Sequence, residues 1–373
     1  MILSAPQDTP PPESPIEEDL SPKQIVYLWG AGATQGEITY LGAANVNLGM
    51  QDSDLGLGLS TRIVQQLPAK WRAAFMTDKG TDIEKLISLL AASGTTDHES
   101  LAADIRRLYF EDICATLASA KILETPTLAM GLLNMHEIDS FQEHEILTGI
   151  ITTNHDGLLQ LACQRVYGHV NLGIAFVSAD ISSTPEATAP LLQVHGSFTW
   201  TFGIPLQVSL IDENSSYSPD AVWIPPAILK ESKSYPFNKL SGLSYELLSK
   251  QCDVLRIVGS SLTQNDWNIL SMIFNAQRHR ESNGYAPFRV ELIMPQPSGD
   301  AITRDCSYLR NLIPIGQLTD GDFAGYLSAD ITSDMRNPLF YWLKEKVQFH
   351  RRRGHLGTAP LPDIVAEIAG GVT

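Results

Sequence analysis

The sequence predicts an α/β protein, a parallel sheet flanked by helices, with a helical insertion after the first strand. Three observations predict it. Apolar runs rich in β-branched residues, Gln24–Trp29, Leu147–Ile151 and Val254–Val258, each end in a polar or glycine-rich turn. The turns after the second and third runs lead to stretches with helical periodicity, and strands alternating with helices build parallel sheets. Between the first two runs, residues Thr81 to His144 carry apolar side chains at helical spacing.

Met1 to Pro22 is rich in Pro, Ser and acidic residues and is expected to be an arm, residues 1–22, outside the core. The first strand, Gln24–Trp29, ends in Gly30-Ala31-Gly32-Ala33-Thr34. Glycines there let backbone N–H groups approach a phosphate, but a tight strand-to-helix turn needs the same residues. The third glycine of a dinucleotide fingerprint would fall at Gln35. Thr39 to Ser60 contains Gly42, Gly49, Gly56 and Gly58 and is expected to be a mobile segment beside this turn, with Gly42 to Ser60 a candidate gate.

The helical insertion, about residues 61–145, begins its clearest pattern at Ile83, Leu86, Ile87 and Leu90. Thr96-Asp97-His98-Glu99 fits a capping box, and Leu101, Ile105, Leu108, Tyr109, Ile113 and Leu117 recur behind it. Pro126 opens a further helix to about Met135. His98, His136 and His144 are read as surface or packing histidines.

The second strand delivers Thr152-Thr153-Asn154-His155-Asp156 to its C-terminal end, before a helix from Gly157. In open α/β sheets ligands sit outside those ends. The same residues also suit an Asx-type turn that caps the helix. Asn171–Val177 reads as a strand, Ser178–Ala189 as a loop, and Leu191–Val194 as a strand delivering His195-Gly196-Ser197. Phe198–Leu210 and Ala221–Ile224 suggest more strand, and Leu240–Lys250 a helix. Val254–Val258 ends in Gly259-Ser260-Ser261-Leu262, Asp266–Arg280 is helical, Phe288–Met294 is a strand, and Asn337–Arg353 is a C-terminal helix. The main domain is placed at residues 23–330 and the C-terminal helix and tail at residues 331–373.

Composition narrows the function. With 373 residues and 43% hydrophobic side chains, the chain can bury a large core. A net charge of −16 argues against direct nucleic-acid binding, which uses clustered Lys and Arg. No apolar run reaches the roughly 18 residues of a membrane span, and no signal peptide is apparent. The four cysteines, Cys114, Cys163, Cys252 and Cys306, have no Cys-x-x-Cys spacing, so no metal site is expected. Free cysteines without an export signal point to the cytoplasm.

Together the strand-end motifs resemble those of the sirtuin-like (silent-information-regulator) superfamily. Its Gly-Ala-Gly-x-Ser loop is similar to Gly30-Ala31-Gly32-Ala33-Thr34. Its Thr-Gln-Asn-Ile-Asp-Gly-Leu is similar to Thr152-Thr153-Asn154-His155-Asp156-Gly157-Leu158. Its His-Gly pair matches His195-Gly196, and its Gly-Thr-Ser-Leu matches Gly259-Ser260-Ser261-Leu262. The resemblance covers about Gln24 to Pro295 in the same order. It departs in lacking the four-cysteine zinc module, where only Cys252 remains, and the Gly-Ile-Pro-x-Phe-Arg sequence. The insertion and the span Ser261–Asp266 look like sirtuin-like proteins of prokaryotic antiphage defence, which hydrolyse NAD.

The resemblance implies a Rossmann-like domain at 23–330 that binds NAD as substrate without a metal. It implies homo-oligomers or a partner protein, such as a hexameric ATPase or a short Argonaute. Asn154 would hold a ribose hydroxyl and the water, Asp156 the nicotinamide amide, and His195 would be the general base. Gly30 to Thr34, Gly259, Ser260 and Ser261 would hold the pyrophosphate and adenine ribose. A zinc-free protein deacylase and a non-catalytic NAD or ADP-ribose sensor are the alternatives.

Overall fold

A computed structural model describes residues 21–42, 46–50, 52–53, 56–75, 82–124, 126–182, 188–226, 233–260, 262, 266–293, 337–358 and 360–370. Ser261, Cys306, residues 1–20 of the arm and the expected domain boundary near residue 330 lie outside the described residues.

Five strands form the main sheet: β1 (Lys23–Trp29), β2 (Glu145–Thr152), β4 (Leu191–Gln193), β8 (Val254–Val258) and β9 (Arg289–Ile293). Their order is β4-β2-β1-β8-β9, and every pair is parallel. Numbering only these five, the order is 3-2-1-4-5, a Rossmann-like doubly wound arrangement whose direction switches at β1 and β8. β8 is wholly buried and β1 is buried from Ile25 onward, which explains their uninterrupted apolar runs.

The register places Tyr27, Arg256 and Glu291 side by side across β1, β8 and β9. Arg256 is buried and donates to Glu291 at 2.7 Å and to Glu145 at 2.7 and 2.9 Å. Lys346, on α11 (Pro338–Arg352), also reaches Glu145. This face is covered by α6 (Thr127–His136) and α11, whose His136 and Trp342 rings meet Tyr27 edge-on. Because strand side chains alternate, Leu192 points to the other face, beside Leu243 of α9 (Phe237–Lys250). α10 (Trp267–Ser282) packs on α9, and α12 (Asp363–Ile368) on α6.

The insertion contains α2 (Leu59–Gln66), α3 (Ala69–Phe75), α4 (Ile83–Ser93) and α5 (Thr96–Ser119), followed by α6 and the short α7 (Asp139–Gln142). Residues of α2, α4 and α5 make a second core that also takes in Ile38 of α1 (Ala31–Tyr40), Leu158 of α8 (Leu158–Tyr167), and Phe198. The helical module therefore leans on the C-terminal edge of the sheet. The capping box is corrected by one residue. Thr95 is the N-cap of α5, no side chain caps it, and its carbonyl accepts from His98 and Glu99 N–H.

The expected strands 171–177 and 198–210 are shorter than their apolar patterns. Only β3 (Phe176–Val177) forms in the first, and β5 (Gly196–Thr201) and β6 (Leu206–Val208) flank a turn in the second. With β7 (Ala221–Trp223) they make a separate sheet, ordered β3-β6-β5-β7. Among the described residues no helix is long and apolar enough to cross a membrane.

Candidate active site

Four strand ends meet at the C-terminal edge of the main sheet. At the switch between β1 and β8 the two following loops interlock through glycine. Gly32 N–H donates to the Gly259 carbonyl at 2.8 Å, and Gly30 N–H to Val258 at 2.9 Å. A Cβ on Gly259 would lie 2.1 Å from Ala33 N, and one on Gly30 would lie 2.6 Å from Ser260 Cβ. Gly259 also has φ +61°, which favours glycine. The glycines of the first loop thus serve the close approach of two backbones, and Gly32 N–H already has a partner. Ala31 and Gly32 are exposed at the start of α1, Ala33 is buried, and Ser260 is half-buried.

Beside this interlock, the end of β2 is tied to the end of β1. Thr152 Oγ1 donates to the Trp29 carbonyl at 2.9 Å and accepts from Asn154 N–H at 3.1 Å. Thr34 Oγ1, on the first turn of α1, donates to Asp156 at 2.8 Å and accepts from Asn154 Nδ2 at 3.1 Å. Asn154 Nδ2 also approaches Asp156 at 3.3 Å, and Leu158 N–H donates to the other Asp156 oxygen at 3.0 Å. Thr34, Asn154 and Asp156 are all buried. Burial pushes the Asp156 carboxyl up, while the bonds from Leu158, Thr34 and Asn154 pull it down. The Asx-type turn of the sequence reading is present, with Asp156 accepting from Leu158 N–H at the start of α8, and Asp156 also joins a polar cluster at a strand end.

Two of the expected binding side chains are engaged with neighbours in this structure. The single hydroxyl proton of Thr34 goes to Asp156, so Thr34 cannot also donate to a phosphate in this arrangement. Asp156 holds three donors, so it positions Asn154 and Thr34.

His195 lies in the turn between β4 and β5. Its carbonyl accepts from Ile224 N–H at 2.8 Å, and the next residue must be glycine because a Cβ on Gly196, at φ +74°, would lie 2.2 Å from the Val222 carbonyl oxygen. The buried His195 ring stacks near His155, centroids 6.0 Å apart. Ser197 Oγ and Phe198 N–H both donate to the His155 carbonyl, at 3.1 and 3.0 Å. The His195 turn and the Asn154–Asp156 turn are thereby locked together.

Sequence reasoning missed several residues here. His155 sits among Phe198, Trp223 and Tyr109, with Trp223 at 5.1 Å, so the insertion supplies an aromatic wall through Tyr109. Glu37, one turn beyond Thr34, is buried and accepts from Leu128 and Ala129 N–H at 3.0 and 2.5 Å. It caps α6, which has no cap from its own N-cap residue. Burial pushes the Glu37 carboxyl up to about 7 despite those two bonds, and Asp156 adds a smaller push. Trp29 Nε1 and Gln193 Oε1 are buried in the last row of the sheet and have no partner among the described residues. No spacing rule points to these contacts.

The segment expected to be mobile is fastened where it is described. Gln35 Nε2 donates to the Val46 carbonyl and its Oε1 accepts from Leu48 N–H, both at 2.8 Å. Arg62 donates to the Asn47 and Leu57 carbonyls and pairs with Asp112. Residues 43–45, 51 and 54–55 of the expected gate lie outside the described residues, and Leu59 and Ser60 begin α2.

Among the described residues no group of three or more His, Cys, Asp or Glu side chains is arranged to hold a metal ion. No protein-family model matches the chain, and no curated protein matches it.

Proposed function

We propose that the chain is an NAD+ glycohydrolase that cleaves the nicotinamide–ribose bond and releases nicotinamide and ADP-ribose. The observation that carries this reading is the Asn154–Thr34–Asp156 cluster beside the switch point of the sheet, where doubly wound folds take nucleotides. The resemblance in the four strand-end motifs supplies the substrate class.

The chemistry asks little acid catalysis, because nicotinamide leaves as a neutral molecule from a cationic ring. It asks for a placed ribose and a placed water. Asn154 supplies the amide for that placement, and Asp156 and Thr34 fix its orientation. His195 takes a proton from the ribose hydroxyl or the water, a contribution of about 10² to 10⁴ in rate. With Thr34 engaged and Gly32 N–H held by the Gly259 carbonyl, the pyrophosphate is assigned to the exposed start of α1 at Ala31, where the helix dipole favours an anion. Ser260, and Ser261 beyond the described residues, are assigned to the same end of the substrate.

A role as the NAD-depleting effector of antiphage defence, in the cytoplasm and in an oligomer or with a partner protein, rests on the resemblance alone. The test is chromatography of NAD+ incubated with the protein, with and without an acyl-lysine peptide. Nicotinamide release that needs no peptide supports the proposal. Release only with peptide would make the protein a deacylase, and binding without turnover would make it a sensor.

A further inference from the structure

One flank of the molecule carries a protrusion and a groove side by side. The turn between β5 and β6 presents Phe202 and Ile204, which are 69% and 105% exposed. β6 runs parallel to β3 with Leu206 opposite Phe176, so the end of this turn enters the sheet beside the start of β3, next in chain to Ile174 and Ala175. Gly173, Ile174 and Ala175 form the wall shared by two adjoining cavities of about 480 and 410 Å³. Leu192, Leu243 and Leu247 line the deeper cavity. Gly173 packs directly on the leucine floor of the groove. It has φ +68°, and a Cβ there would lie 2.7 Å from Leu192 and 3.0 Å from Leu243.

Scattered single apolar side chains on a surface need no explanation, but a contiguous patch marks a contact. Val177 of β3 and Tyr235 at the groove mouth, 49% and 51% exposed, extend the patch on either side. The occupant follows from shape and charge. A knob next to a groove is self-complementary about a two-fold axis, since each copy's knob then meets the other's groove. The charged side chains lining the groove, Lys239 and Glu246, cancel, whereas the chain as a whole carries −16. Two copies that repel elsewhere meet without repulsion here.

We propose that this flank is a two-fold interface in which Phe202 and Ile204 of each protomer enter the Gly173–Leu243 groove of a second copy of this chain. The contact is independent of the reaction at the strand ends.

The test is the solution mass of the full chain by light scattering and sedimentation velocity at about 1 to 100 μM, a range that spans typical dissociation constants. Ile204→Glu on the knob and Ala175→Glu on the groove rim alter exposed positions, so melting curves should stay unchanged. Each variant should halve the mass of the wild-type assembly and raise its dissociation constant at least about tenfold. An equimolar mixture of the two variants should recover part of the lost association, because one of the two knob–groove contacts is then intact. A wild-type monomer throughout this range, or an assembly whose mass neither variant changes, would overturn the proposal.

Discussion

Glu37 offers a pH experiment on the architecture beneath the site. Its carboxyl rises from 4.5 to about 7 on folding because burial outweighs two backbone donors. The sign follows from which state holds the proton. Below pH 4.5 folded and unfolded chains both hold it and the stabilising contribution is complete. As pH rises towards 7 the unfolded chain releases its proton first, so stability falls, and above 7 the contribution is gone. Between pH 5 and pH 8 this amounts to about 2 to 3 kcal/mol. Glu37→Gln keeps the shape and removes the titration. It leaves a backbone N–H of α6 facing an amide NH₂, at about 1 to 3 kcal/mol, but that offset is nearly the same at both pH values. The assay is urea denaturation of both proteins at pH 5 and pH 8, each extrapolated to water. Relative to wild type, the variant should gain about 2 to 3 kcal/mol on going from pH 5 to pH 8. A difference between the two proteins that does not change with pH would refute the reasoning.

Gly259→Ala should destabilise the fold by about 3 kcal/mol or more, since its Cβ meets Ala33 N at 2.1 Å and its φ is +61°; thermal denaturation reads this directly. Gly242→Ala is the matched control. It lies within α9 with nothing within 4 Å of the added Cβ, and the same measurement should find it more stable by about 0.5 to 1 kcal/mol. Arg256→Met should cost about 3 to 5 kcal/mol in urea denaturation, because it leaves Glu291 without its buried cation and Glu145 with Lys346 alone. Asn154→Ala should lower NAD+ turnover about 10² to 10³-fold, and adding His195→Ala should do little more than the worse single change, since both act on one step.

Much of the sheet was legible because its central strands are buried on both faces. An apolar run ended by glycine or polar residues has few other readings, and β1, β2 and β8 end within a residue or so of the predicted positions. The strands of the small sheet were less legible. Residues 171–175 satisfy their backbone in bends and in bonds to neighbouring segments, as where the Asn171 carbonyl accepts from Leu191 N–H. The Phe202–Pro205 turn interrupts what composition presents as one long strand.

The site was legible as a set of strand-end residues but not as a network. Asn154 and Asp156 are neighbours in sequence, whereas Thr34 is 122 residues from Asp156 and Glu37 is more than 90 from the helix it caps. A local motif cannot specify such pairings. The glycine loop was half legible: Gly30 and Gly32 are required, but for packing against Gly259 and Ser260 as well as for any anion. The aromatic wall from Tyr109 was hidden because its helical spacing looks like that of any core residue.

The most direct measurement of the proposed reaction is the fate of water oxygen during NAD+ turnover in ¹⁸O-labelled water. Hydrolysis at the nicotinamide–ribose bond predicts equal amounts of nicotinamide and ADP-ribose, with one labelled oxygen in each ADP-ribose, placed at the ribose carbon that carried nicotinamide. Nicotinamide released with an unlabelled cyclic product, or no nicotinamide from protein that still binds NAD+, would contradict it.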